Sequence, residues 1–248
     1  MPRSDAQIKI IPYRLKVNLE EVLRWMNDRA DPAKAAFKAK KFGIHAKDAI
    51  GLYLKDVNEL AKYIGKNEAL ALELFETGIH EARILCSKIY PSKKLTKRLM
   101  NKWVKTFDNW ETTDSFCMTC FAPSPYAEEM AYTWVKREEE FVRRAGFVLM
   151  AAYGFSRKKQ GNKVFEKFMD PIKKYATDDR NFVKKANNWA LRSIGKRNVD
   201  LRNTAIKTAY EILEIDSPAA RWIAKDALRE LESDQVKMQD YPRVMYRT

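Results

Sequence analysis

Glycine and proline are both scarce, at 8 and 9 of 248 residues. Strand-rich folds need many turns and usually more of both, so the shortage argues against a β architecture. Cysteine is rarer still: Cys86, Cys117 and Cys120 only. An odd count without secretory features argues against a disulfide framework. Two of the three form a CxxC, Cys117-Met118-Thr119-Cys120, but a structural zinc wants four ligands. Only Cys86, His45 and His80 remain to supply them, and none is spaced as a partner pair, so two small buried helical cysteines are expected instead. The two histidines stand apart from any nucleophile–base spacing. There is no phosphate-binding glycine loop and no HExxH. No metal and no cofactor are expected.

Long hydrophobic runs are also missing. The longest, Ala145 to Phe155, is too short to span a bilayer and is flanked by arginines and lysines. The start, Met1-Pro2-Arg3-Ser4-Asp5, lacks the apolar core of a signal peptide. These features read as a cytosolic (cytoplasmic) monomer with no membrane partner.

What the chain does have is positive charge. Lys and Arg number 47 against 33 Asp and Glu, a formal +14. Such a surplus favours a polyanion through phosphate neutralisation and counterion release. The same surplus also serves plain solubility, so charge leaves both readings open.

Helix formers dominate the composition, and apolar residues recur at helical spacing almost throughout. The periodicity predicts helices near 18–28, 31–41, 56–64, 67–77, 79–90, 95–106, 109–121, 125–136, 138–154, 161–176, 180–196, 199–214 and 217–233. Breakers fall between them: Asp31-Pro32, Gly65, Gly78, Pro91-Ser92, Pro123-Ser124-Pro125, Gly161, Gly195 and Asp216-Ser217-Pro218. Pro32 and Pro218 suit a first helical turn. An internal echo joins Phe141-Val142-Arg143-Arg144-Ala145 to Phe182-Val183-Lys184-Lys185-Ala186, with Trp222-Ile223-Ala224-Lys225 as a poorer third copy. The spacing, about 40 residues, fits a HEAT-like helical repeat. The expected fold is therefore all-α: an α-solenoid of antiparallel helix pairs with a concave basic face. It would comprise an N-terminal helical extension over 1–30, a repeat domain over 31–233, and a polar, frayed tail over 234–248.

Two segments carry the chemistry. In helix 180–196, Val183, Ala186, Ala190 and Ile194 form the expected core stripe at 100° per residue. Lys185, Trp189, Arg192 and Lys196 share the opposite side. Cations for phosphates beside an indole for sugar or base would make a DNA-facing surface. Equally, Trp189 could pack on a neighbouring helix. The second segment is Phe107-Asp108-Asn109-Trp110-Glu111-Thr112-Thr113-Asp114. Asp or Asn would cap the helix there, and Glu111 suits its dipole. Asp114 lies further in, four residues after Trp110 and so on the same face. A carboxylate beside an indole can steady a developing positive charge or orient a water. Arg157-Lys158-Lys159 with Lys163 forms a basic loop, for phosphate contact or for solvation.

Further pieces complete a pattern: Phe42-Gly43-Ile44, Gly78-Ile79-His80-Glu81-Ala82-Arg83-Ile84-Leu85, Trp103, and Glu139-Glu140 before the Phe141 echo. In order and spacing, roughly from Lys41 to Glu232, the chain resembles the AlkD-type DNA alkylation repair glycosylases. The resemblance implies excision of N-alkylated purines, such as 3-methyladenine and 7-methylguanine, from double-stranded DNA by cleavage of the N-glycosidic bond. It makes Asp114 the catalytic carboxylate. It makes Trp110 and Trp189 the aromatic pair lining the lesion, and Arg144 a cation near the lesion's backbone. It also implies an open groove rather than a pocket for an extruded base. Two positions depart from the family pattern: Asn109 where some members carry an aromatic residue, and Glu111 where Asp is often found. The family includes relatives that bind DNA without measurable base excision, so a non-catalytic binder of damaged or branched DNA is the alternative. A protein–protein scaffold is a third use of such a solenoid.

Overall fold

The computed structural model describes residues 17–46 and 48–242. The reading of Met1 to Asp5 and most of the N-terminal extension lie outside the described residues. Those described form thirteen α-helices and no strand, so the all-α expectation holds. The chain divides into two compact units, 1–90 and 91–248, with the division inside the stretch expected to be one repeat domain.

The first unit holds α1 (Leu19–Asn27), α2 (Pro32–Phe42), α3 (Leu54–Ile64), α4 (Glu68–Glu76) and α5 (His80–Ile89). Helix starts are set by side chains that take up otherwise unpaired amide protons. Asn18 accepts from Glu21, Asp31 from Ala33 and Lys34, and Asn67 from Leu70. Pro32 opens α2, where its missing N–H is no loss. Ahead of α3, Gly51 has φ +81, and a Cβ there would stand 2.0 Å from the Asp31 carbonyl oxygen. Only glycine fits such a position. The buried Glu81 carboxylate from α5 holds this turn, accepting from Ile50 N at 2.9 Å and Gly51 N at 2.8 Å.

The second unit holds α6 (Lys97–Val104), α7 (Trp110–Phe116), α8 (Ala127–Trp134), α9 (Glu140–Ser156), α10 (Asn162–Lys174), α11 (Asn181–Gly195), α12 (Val199–Leu213) and α13 (Pro218–Leu231). Helix α9 packs on α7, α8 and α11; α11 packs on α9, α12 and α13; α10 packs on α12. Successive pairs therefore stack, with α9, α11 and α13 side by side in one layer and α10 beside α12 in the other. The sequence echo maps onto this layer. Phe141 and Phe182, at equivalent places in α9 and α11, meet with ring centroids 5.5 Å apart. A Cβ on Gly146 would lie 2.6 Å from both Val135 N and Val135 Cγ1, so this glycine lets α9 approach the end of α8 closely.

Three features were not legible as helical periodicity. Between α7 and α8 the backbone widens into a π-helical turn, Cys117–Phe121. Its Phe121 ring stacks with Trp103 and Phe107, while Phe116 and Trp134 pack around it, forming an aromatic core. Burying one such ring stabilises by about 1.5–3 kcal/mol. Second, Arg197 is buried and ends α9 from outside: Nη1 donates to Gly154 O, and Nη2 to the carbonyls of Arg157, Lys158 and Gln160. It satisfies carbonyls that a helix end leaves unpaired. Third, the tail is not frayed as far as residue 242. Gln239 N and Tyr241 N donate to Lys196 O and Arg197 O, and Asn198 Nδ2 donates to Tyr241 O at 2.6 Å.

Candidate active site

The site lies in the second unit and begins with the first turn of α7. Asn109, fully buried, is its N-cap: Oδ1 accepts from Thr112 N at 2.9 Å. Its Nδ2 donates to Asp108 Oδ1 at 2.7 Å, and its carbonyl accepts from Thr113 Oγ1 at 2.7 Å. Of the two capping residues the sequence offered, Asn109 takes the role and Asp108 orients it. With the cap pinned, Trp110 is the first helical residue and Asp114 stands one turn further on. Trp110 is half-buried.

Asp114 is met by Arg144 from the first half of α9. Arg144 Nε donates to Asp114 Oδ1 at 2.9 Å and Nη2 donates to Oδ2 at 2.7 Å. This is the bidentate fork that guanidinium and carboxylate planes allow. The third donor, Nη1, reaches the Phe182 carbonyl of α11 at 2.6 Å. The pair is thus held by three helices. The Arg144 side chain is only 7% exposed and that of Asp114 17%. Burial pushes the Asp114 carboxyl above its ordinary value, and the charge and hydrogen bonds of Arg144 oppose that rise. An oxygen that accepts one hydrogen bond still has a second lone pair, so the carboxylate can receive a water or face a cationic centre.

The resemblance implied a place for Arg144 beside a lesion's backbone. In the structure its guanidinium donates to Asp114 and to Phe182 O, an arrangement that orients the carboxylate and balances its charge. Cys117, one turn beyond Asp114, donates its thiol to Ala145 O at 3.6 Å. Burial, reinforced by Asp114, pushes that thiol well above its usual value, which leaves it inert as a nucleophile. Cys117 and Cys120 are both free and buried in the π-helical turn. No group of three or more His, Cys, Asp or Glu among the described residues could hold a metal ion.

On α11 the expected core stripe is buried: Val183, Ala186, Ala190 and Ile194. Asn187 and Asn188 are buried too, donating to Ile172 O and Ile223 O of the flanking helices. Of the four residues placed opposite the stripe, Lys185 is exposed, while Trp189, Arg192 and Lys196 are half-buried. Arg192 and Lys196 share one carboxylate that sequence reasoning missed. Glu230 of α13 accepts from Arg192 Nη1 at 2.5 Å and from Lys196 Nζ at 2.6 Å. Burial alone would raise the Glu230 carboxyl, but Lys196 and Arg192 together hold it below its ordinary value. No spacing rule within α11 could have revealed an acid arriving from another helix. Lys185 has no carboxylate partner among the described residues.

Stacked helix pairs that present a half-buried acid, clamped by an arginine and preceded by an indole, define a helical-repeat protein. Residues 22–231 match the family described as DNA alkylation repair enzyme, and the chain belongs to that family. A solved structure from a family described as related to the HEAT-like repeat DNA glycosylases, with affinity for branched DNA structures, superposes with a TM-score of 0.69. The match is 18% identical and covers 86% of this chain and 94% of that one, so the HEAT-like fold is shared. No curated protein matches the chain. No helix among the described residues is long and apolar enough to cross a membrane.

Proposed function

We propose that the protein excises N-alkylated purines, such as 3-methyladenine and 7-methylguanine, from double-stranded DNA by hydrolysing the N-glycosidic bond. The observation that carries this reading is the Asp114–Arg144 fork, with Trp110 one helical turn before the acid. An alkylated purine already bears positive charge, so it leaves with little acid assistance. Positive charge then develops on the sugar as the bond breaks. Ionised Asp114 stabilises that charge and positions the attacking water. Arg144 is a positioning residue: it keeps Asp114 ionised and fixes its plane. Trp110 and Trp189 offer indole faces to the cationic base and the C–H-rich sugar. Lys185 supplies a phosphate contact, with Arg192 and Lys196 behind it, their charge shared with Glu230. The three free, buried cysteines suit a reducing, cytoplasmic setting.

The test is incubation with methylated duplex DNA and measurement of released bases. Native protein is expected to release them, and Asp114→Asn to cut the rate by roughly 10²-fold or more. No release by native protein, or undiminished release by Asp114→Asn, overturns the assignment. The affinity of the solved relative for branched DNA supports a second reading, binding of damaged or branched DNA without excision. It is distinguished by salt-sensitive binding with no released base.

A further inference from the structure

The chain has six tryptophans, and they differ sharply in exposure. Trp25, Trp103 and Trp134 are buried, Trp110 and Trp189 are half-buried, and Trp222 is 39% exposed. Trp222 lies in the first half of α13, where the sequence echo placed the counterpart of Phe141 and Phe182. Those two rings pack on each other. Trp222 stands in α13, the last helix among the described residues. Its indole is open to solvent and meets no other aromatic ring among the described residues, so packing does not account for it.

Its surroundings provide a reason. Lys184 of α11 holds its ammonium 5.2 Å from the Trp222 ring centroid. An open cleft of about 310 Å3 runs along α13, lined by Pro218, Arg221, Trp222, Lys225, Asp226 and Arg229. Asp226 is occupied by Arg229 and lies 3.7 Å from Arg192. Lys184 and Lys225 have no carboxylate partner among the described residues. Arg221 lies 3.7 Å from the fully exposed Asp216, so the cleft carries an aromatic face with two unpaired lysines and one loosely paired arginine around it.

We infer that Trp222, with Lys184, Arg221 and Lys225, binds an unpaired nucleotide: the indole stacks on the base and the cations take its flanking phosphates. Base–aromatic stacking requires an exposed π-face on both partners, which a paired base within a duplex does not offer. The ligand is therefore a single-stranded stretch at an overhang, gap or branch, adjoining the duplex held by the rest of α11. This extends the nucleic-acid reading above to a second site and does not use Asp114.

The test compares fluorescein-labelled blunt duplex with the same duplex carrying a single-stranded overhang, by anisotropy at fixed salt. Native protein is expected to bind the overhang substrate more tightly. Trp222→Ala is expected to remove that preference, weakening overhang binding by roughly tenfold. It should leave blunt-duplex binding within about twofold and the melting temperature unchanged. Trp222→Phe, which keeps a ring, should retain most of the preference. Equal native affinity for the two substrates overturns the inference, as does a loss of equal size on both with Trp222→Ala. Base release from methylated blunt duplex, run in parallel, should be unchanged by Trp222→Ala. If native protein releases no base but keeps a Trp222-dependent overhang preference, the excision reading fails and this one stands. Base release without that preference overturns the single-strand site and leaves excision standing.

Discussion

Replacing Arg144 with Ala removes three charge-assisted hydrogen bonds, two to Asp114 and one to Phe182 O. It leaves a carboxylate with 17% side-chain exposure facing no cation. Breaking a buried pair from one side costs about 3–5 kcal/mol, because the remaining charge keeps its desolvation penalty. In a chain of this size each kcal/mol shifts the melting temperature by about 2–4 °C, so a fall of roughly 6–20 °C is expected. The cost should also depend on pH. Asp114 already sits above its ordinary value through burial, and loss of Arg144 raises it further. Below that raised value the acid protonates and the penalty largely disappears. Above it the penalty is fully present, so the deficit grows as pH rises through the folded pKa. The proposed excision uses the ionised acid, so its acid limb should move to higher pH in Arg144→Ala. Thermal melts followed by circular dichroism at several pH values, with a pH profile of base release, provide the measurement. A loss under about 1 kcal/mol that is flat with pH would show a solvent-screened pair and refute the reasoning.

The other predictions use neighbouring features. Glu230→Gln releases Arg192 and Lys196 from their shared carboxylate. DNA binding should tighten, and the slope of log K against log salt should steepen by about 1–2, as titrations across a salt series would show; an unchanged slope would remove both cations from the DNA-facing surface. Asp178 accepts from Arg143 Nη1 at 2.7 Å and from both Nε and Nη2 of Arg180. Burial raises its carboxyl, yet hydrogen bonds from Arg180 and Arg143 outweigh that and hold it below the ordinary value. Its stabilising contribution is therefore present above the unfolded value and lost as pH falls through the folded one. Asp178→Asn should cost on the order of 3 kcal/mol at neutral pH, with the gap to native closing in acid; a gap constant with pH in denaturant titrations would contradict this. Together with Asp114→Asn in base release and Trp222→Ala in overhang binding, these variants separate excision, duplex grip and single-strand capture.

The amino-acid sequence by itself determined the helices and most of their starts. Period, caps such as Asn18, Asp31 and Asn67, and breakers such as Pro218 act within a few residues, so they are written locally. The core stripe of α11 follows from the same geometry. The stacking of α9 on α11 was also legible, because an echo about 40 residues apart produces equivalent contacts such as Phe141 against Phe182. Asp114 stood out only as an acid too far into its helix to be a cap, and its role came from the family resemblance. What the tertiary structure alone decided is which charges meet. Arg144 lies 30 residues from Asp114, and Glu230 lies 38 and 34 from Arg192 and Lys196. Helical spacing says which side of its own helix a cation occupies, but nothing about the acid that another helix brings to it. That is why Arg144 becomes the clamp of the acid and two of the four opposite-face residues share a carboxylate. Trp222, the poorest copy of the echo, is exposed because no helix among the described residues covers it as α11 covers Phe141.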